Sequence, residues 1–116
     1  MKKILVVDDD DSIREIAAAF LRNEGYDVFE ASCVSAANET LSNTATDLIL
    51  TDYHMPDETG GDLLKKVRQN YPRVKVVLMT AAGCLVSRQE KSGFDGVISK
   101  PFRKEEFLRI IRSVVG

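Results

Sequence analysis

The stretch KILVVDDDDSIREI, residues 3–16, sets an unbroken apolar run, Ile4 to Val7, directly against four aspartates, Asp8 to Asp11. An apolar run of this length that does not alternate reads as a short strand buried on both faces, the habit of parallel sheets covered by helices. Helical spacing follows at once. Ile13, Ile16, Ala17, Phe20 and Leu21 fall on one face, with Ser12 as the expected cap and Gly25 as the expected stop. The four acids therefore stand at a junction between strand and helix, where they form a solvated turn, a helix cap, or a site that holds something positive.

The same unit recurs down the chain. DLILT (47–51) and VKVVLM (74–79) are further continuous apolar runs, and YDVFEA (26–31) and GVIS (96–99) complete a set of five expected strands. Between and after them, VSAANETL places Val34, Ala37 and Leu41 together, and GDLLKKVRQNYP offers Leu63, Leu64 and Val67 before Pro72. RKEEFLRIIRSVV groups Phe107, Ile110, Ile111 and Val114. The segment AAGCLVSRQEKSGFD (81–95) keeps little periodicity beyond Leu85 and Val86, so only a short helix is expected there. Strand and helix alternate five times, which predicts an α/β fold: an open, doubly wound parallel sheet with helices on both faces and right-handed crossovers. In such sheets ligands bind beyond the carboxyl ends of the strands, where the strand order reverses.

Composition narrows the function classes. One domain, residues 1–116, is expected from the length. A charged fraction of 29% with 44% hydrophobic residues suits an ordinary globular protein, and a net charge of −2 gives no general attraction to nucleic acid or an anionic membrane. Cys33 and Cys84 lack CxxC spacing, and the chain has one histidine, which leaves a zinc site short of ligands. The opening MKKILVV begins like a leader, but its apolar run meets aspartates after four residues, and no stretch approaches membrane-spanning length. A reduced, cytoplasmic protein is expected.

The residues that follow the strands carry the chemistry. Asp8 and Asp9 follow the first, Asp52 the third, Thr80 the fourth and Lys100 the fifth. Singly, each has a structural reading: helix-start acids, a turn former before Pro56, a strand-end hydroxyl, a solvated lysine before Pro101. Together they put three carboxylates, a hydroxyl and an ammonium on one rim. Two carboxylates about 4 Å apart repel by roughly 4 kcal/mol at an effective dielectric near 20, and Lys100 offsets only one charge. A hard divalent cation on a few carboxylates and several waters fits the rest, and Mg²⁺ favours that arrangement. One carboxylate can then act as nucleophile toward a phosphoryl group, a transfer that needs positioning and charge neutralisation above all.

These pieces, ILVVDDDDSIRE, DLILTDYHMPDETGGDLL, VVLMTAA and ISKPF, occur in the order found in the receiver domain of two-component response regulators, and the chain resembles that family along essentially its whole length. The resemblance implies a flavodoxin-like (βα)₅ sandwich with strand order 2-1-3-4-5. It implies that Asp52 is the aspartate phosphorylated by a histidine kinase or a histidine phosphotransfer protein. Asp9 would bind Mg²⁺ directly, Asp8 through water or from behind it, and His54 through its backbone carbonyl. Thr80 and Lys100 would contact the phosphoryl group. Gly60 would start the third helix, and the Lys100–Pro101 bond is commonly cis in the family. The domain would signal, catalysing only its own phosphorylation and dephosphorylation, to an output protein or a C-terminal effector domain, without itself binding nucleic acid or membrane.

Two departures fall on the face that usually signals to partners. Val97 stands where receivers usually carry a Tyr or Phe, so the resemblance carries no aromatic switch to this chain, and the stretch from Thr80 to Lys100 is about two residues shorter than usual. His54 and Ala82 hold positions that tune dephosphorylation in the family. Asp10 and Asp11 have no family role and read as solvated acids of the first helical turn. Three alternatives compete. A haloacid-dehalogenase-type phosphatase would parse VVDDDDS with Asp8 as nucleophile and Asp10 as general acid, but leaves Asp52 unexplained. A pseudo-receiver would keep the fold as an interaction module without phosphate turnover. A flavodoxin shares the sheet, but four aspartates would repel a flavin phosphate.

Overall fold

The computed structural model describes residues 2–81 and 86–115. Ala82, Cys84 and Leu85, each singled out above, lie outside the described residues. The expected strands form one parallel sheet: β1 (Lys3–Val7), β2 (Asp27–Ala31), β3 (Leu48–Asp52), β4 (Lys75–Ala81) and β5 (Gly96–Lys100), in the order β2-β1-β3-β4-β5. The helices are α1 (Asp11–Asn23), α2 (Val34–Asn43), α3 (Gly60–Asn70), α4 (Arg88–Ser92) and α5 (Lys104–Val115). Strand order reverses between β1 and β3, so the crevice for a ligand opens where those two strands end.

The continuous apolar runs are explained by two cores, one on each face. Side chains alternate across a strand. Ile4, Val6, Leu48, Leu50, Val77 and Met79 therefore join Ala17, Ala18 and Leu21 of α1 and Phe107, Leu108 and Ile111 of α5. Their neighbours Leu5, Val7, Ile49, Val76 and Leu78 face Val34, Ala37 and Leu41 of α2 and Leu63 and Val67 of α3, with Phe94 behind α4. With both faces covered, no strand in the middle of the sheet has a wet side to fill with polar residues. Phe20, Phe102 and Phe107 meet edge-on or tilted, with centroids 4.8–6.2 Å apart, and lock α1 to α5.

Two local expectations are corrected. The cap of α1 is Asp10, whose side chain accepts from the Ile13 amide at 3.1 Å, not Ser12, which lies inside the helix. A carboxylate two residues earlier in the chain reaches the free amides of the first turn and takes the place that the hydroxyl was expected to fill. Ile16 shares the expected helical face only loosely and is 45% exposed, with Ala17 and Ala18 taking the buried places. Gly25 ends the helix as expected, at φ +95°, a conformation a side chain would strain. Strand ends also run one or two residues further than the apolar runs: Asp52 and Lys100 are the last residues of β3 and β5, and Thr80 lies inside β4.

Candidate functional site

The rim expected from the sequence exists. One oxygen each of Asp8, Asp9 and Asp52 lies within 4.8 Å of the others. The Lys100 Nζ donates to Asp8 Oδ2 at 2.9 Å and stands 3.4 Å from Asp52 Oδ2. Asp8 is wholly buried, Asp52 half-buried and Asp9 exposed, so the cluster grades from the floor of the crevice to solvent. Register explains the convergence. Asp52 pairs with Met79 and Lys100 with Ala81, which places Thr80 between them on the strand that separates β3 from β5.

Each side chain is held by its surroundings. Asp8 Oδ1 accepts from the Asp10 amide at 2.9 Å, and the Asp8 carbonyl accepts from Arg14 at 2.9 Å, which pins the β1–α1 loop to α1. Asp52 Oδ1 accepts from the Tyr53 amide at 2.8 Å, leaving Oδ2 toward Lys100. The Gly60 amide donates to the Tyr53 carbonyl at 2.6 Å, and a Cβ at Gly60 would stand 2.5 Å from the Asp52 carbonyl oxygen. Helix α3 therefore starts against the end of β3, at Asp52, in a space only glycine fits. The Lys100–Pro101 peptide is cis, as the resemblance implied.

The electrostatics are those of a site short of positive charge. Three carboxylates face one ammonium. Burial pushes the Asp52 carboxyl above its ordinary range; the Lys100 charge pulls it back, and the charge of Asp8 adds to the rise. Burial alone would lower the Lys100 ammonium, but its bond to Asp8 and the charges of Asp52 and Asp8 outweigh burial and raise it. Unit charges 3–4 Å apart interact by roughly 4–6 kcal/mol at an effective dielectric near 20, so the ammonium cancels about one of the three carboxylates and no more. An all-oxygen donor set with two uncompensated charges is of the kind that would suit a hard divalent cation such as Mg²⁺. Thr80 adds a second sign of an incomplete site: its hydroxyl is buried and finds no hydrogen-bond partner among the described residues.

His54 is exposed in the loop after Asp52, its backbone in an isolated antiparallel bridge to Thr59 and its ring edge-on to Tyr53 at 5.2 Å. Asp10 is occupied as the cap of α1, which leaves the phosphatase parsing of VVDDDDS without its general acid. Val97 is partly buried against the α2–α3 core. Three residues important to the site were not singled out in the sequence. Arg14 holds the backbone of Asp8. The Tyr53 hydroxyl donates to Glu90, which with Ser87 forms the capping box of α4. Asp57 accepts from the Val34 and Ser35 amides of α2. The S-x-x-E spacing of Ser87 and Glu90 is a helix-start signal readable in the sequence; the bond of Arg14 to the Asp8 carbonyl and the long-range bonds of Asp57 leave none.

The response regulator receiver domain model matches residues 4–112. Chemotaxis protein CheY1 of Helicobacter pylori is 35% identical over 120 residues, covering 98% of this chain and 97% of its own. Transcriptional regulatory protein CpxR of Escherichia coli K12 is 34% identical over 117 residues, covering 99% of this chain and 50% of its own. Among solved structures, chemotaxis response regulator CheY4 of Vibrio cholerae superposes with a TM-score of 0.90 at 31% identity, covering 98% of each chain. The chain spans about half the length of several curated relatives, CpxR among them. A family model spanning nearly the whole chain, on a sheet and a rim of this geometry, leaves one assignment: the chain belongs to the response regulator receiver domain family.

Proposed function

We propose that this domain accepts a phosphoryl group on Asp52 from the phosphohistidine of a sensor kinase or phosphotransfer protein, in a Mg²⁺-dependent step, and thereby switches an output surface. The observation that carries the proposal is the rim itself: three carboxylates within 4.8 Å, one ammonium shared between two of them, and a buried hydroxyl without a partner among the described residues. Mg²⁺ on the carboxylates would supply the missing positive charge, and a phosphoryl group at Asp52 would give the Thr80 hydroxyl an acceptor.

The chain's own residues divide the work. Asp52 Oδ2 forms the new O–P bond while the P–N bond to the donor imidazole breaks; the imidazole nitrogen keeps that electron pair and takes up a proton. The Tyr53 amide holds the other Asp52 oxygen, which fixes the attacking direction. Lys100 balances charge on the transferred oxygens, and the Thr80 hydroxyl turns to donate to one of them. Asp8, Asp9, Asp52 and the His54 carbonyl would hold Mg²⁺, whose chemistry when bound is neutralisation of two negative charges as an anionic donor approaches.

Phosphorylation then biases a conformational equilibrium only as far as the new charge makes different contacts in the two states. Thr80 is the group with most to gain, since it trades an unmet hydroxyl for a charged acceptor. The output is an effector domain in cis or a separate protein; relatives of twice this length named as transcriptional regulators support the first, and CheY1, of equal length, the second. The test is transfer of labelled phosphate from a phosphorylated histidine kinase, with Asp52→Asn alongside. Label on the wild type and none on the variant supports the proposal. Equal labelling of both refutes it.

A further inference from the structure

The loop from Tyr53 to Thr59 carries the His54 backbone and joins β3 to α3. Four side chains tie it down: Thr59 bonds Asp62 as the cap of α3, and three others each reach a different helix. Glu58 meets Lys66 of α3 at 2.8 Å, the Tyr53 hydroxyl meets Glu90 of α4, and the Asp57 carboxylate accepts from the Val34 amide at 3.1 Å and the Ser35 amide at 2.8 Å. Asp57 also accepts from its own neighbour, the Glu58 amide, at 2.9 Å. Among the described residues no other hydrogen bond joins this loop to α2. The loop closes through the His54–Thr59 bridge, and Asp57 lies between those two residues in the chain.

The α2 end of this contact shows why a carboxylate is used. The cap of α2 is Cys33, whose sulfur accepts from the Ala36 amide at 3.4 Å. A thiol is a weak acceptor, and it leaves the first two amides of the helix unmet. Asp57 meets them from another part of the chain with a charged acceptor at a helix N-terminus, a strong combination. The amide of Ser35, ahead of those of Val34 and Glu58, holds the Asp57 carboxyl below its ordinary range, so it is charged at neutral pH. The arrangement matches the opposite wall of the site, where Arg14 pins the backbone of Asp8 to α1.

We infer that Asp57 is a positioning residue of the cation site: by clamping the 53–59 loop to the N-terminus of α2, it holds the His54 backbone where Mg²⁺ needs a ligand. The inference rests on the receiver reading above. It assigns Asp57 no contact with the cation or the phosphoryl group. Its effect is on the affinity for Mg²⁺ and not on the chemistry once Mg²⁺ is bound.

The experiment titrates MgCl₂ into the unphosphorylated chain, followed by backbone amide NMR shifts, for wild type, Asp57→Ala, Asp57→Asn and the double variant Asp57→Ala/Cys33→Ser. Asp57→Ala should weaken Mg²⁺ binding about tenfold, the low end for loss of an outer partner. The extent of Asp52 phosphorylation at saturating Mg²⁺ should be unchanged. Asp57→Asn, which keeps an acceptor oxygen, should recover part of the affinity. In the double variant the Cys33→Ser change gives α2 a hydroxyl cap of its own. The α2 amides should regain slow hydrogen exchange there, while Mg²⁺ affinity stays low. Full recovery of affinity in the double variant, or wild-type affinity in Asp57→Ala, overturns the inference and leaves Asp57 a helix cap. A wild-type chain that binds no Mg²⁺ overturns the receiver reading beneath it.

Discussion

Replacing Gly60 by alanine separates two opposed effects with a clear sign. Alanine is the better helix former, by about 1 kcal/mol in a helix interior, and Gly60 is the first residue of α3, so propensity alone predicts a neutral or stabilising change. Packing predicts the reverse. The new Cβ would stand 2.5 Å from the Asp52 carbonyl oxygen, 3.1 Å from the Tyr53 Cα and 3.4 Å from the Asp52 carbonyl carbon, and the first contact must open to at least 3.0 Å. All three atoms are backbone, so no side chain can turn aside. Relief has to come from shifting either the end of β3 or the start of α3, which a 2.6 Å bond between the Gly60 amide and the Tyr53 carbonyl joins. Overpacking of this kind costs about 1–3 kcal/mol, which lowers the melting temperature by roughly 4 °C per kcal/mol in a chain of this size. Because two of the displaced atoms belong to Asp52, the proposed phosphoacceptor, phosphoryl uptake should also slow, by about tenfold or more. Gly61→Ala is the control. The nearest atoms to its Cβ are in the Tyr53 ring and hydroxyl and the Thr59 hydroxyl, at 3.1–3.5 Å, and those can move; the loss there should stay below about 1 kcal/mol. Urea unfolding and acetyl phosphate uptake on both variants decide the matter. A Gly60→Ala protein as stable and as quickly phosphorylated as Gly61→Ala would refute the packing argument.

The charge balance of the rim sets three further expectations. The raised Asp52 carboxyl means that the folded state keeps its proton to a higher pH than the unfolded chain, so ionisation destabilises the fold as pH climbs through and above the ordinary carboxylate range. Asp52→Asn should therefore raise the melting temperature of the Mg²⁺-free protein at neutral pH, with the gain fading below that range; a gain that is the same at every pH contradicts this. Lys100→Met leaves the wholly buried Asp8 without its cation and should cost about 3–5 kcal/mol in urea unfolding, much of it recovered when Asp8→Asn is added. No recovery in that double variant would mean the pair is not the source of the loss. Thr80→Val removes a buried hydroxyl that lacks a partner among the described residues and should stabilise the unphosphorylated chain by about 1 kcal/mol while slowing phosphoryl uptake; a loss of stability would show that the hydroxyl is already bonded.

The sheet was readable because its chemistry is redundant. β1, β3 and β4 are buried on both faces, so their residues are apolar whichever way they point, and a run such as KILVV carries the signal without any knowledge of its neighbours. The rim was readable for a different reason: the topology sends every strand end to one edge, so residues far apart in sequence converge once the alternation is recognised. Local competition was less visible. Asp10 and Ser12 are both good caps, and nothing in their order says that the carboxylate wins. The face of α1 was drawn too wide because periodicity admits Ile16 while the sheet has room for Ala17 and Ala18. The second layer of the site was hidden altogether. Asp57 reaches α2 across 22 and 23 positions of sequence and Tyr53 reaches Glu90 across 37, and a side chain's long-range partner leaves no periodic trace.

The central claim is that Asp52, supported by Mg²⁺ on the neighbouring carboxylates, is the one phosphoacceptor of this chain. Intact-mass measurement after incubation with acetyl phosphate, with Mg²⁺ and with a chelator in its place, tests it most directly. One phosphoryl group should be added in the presence of Mg²⁺, none with the chelator, and none on Asp52→Asn under either condition. A chain that gains no phosphoryl group with Mg²⁺ present, or an Asp52→Asn variant that gains one, would contradict it.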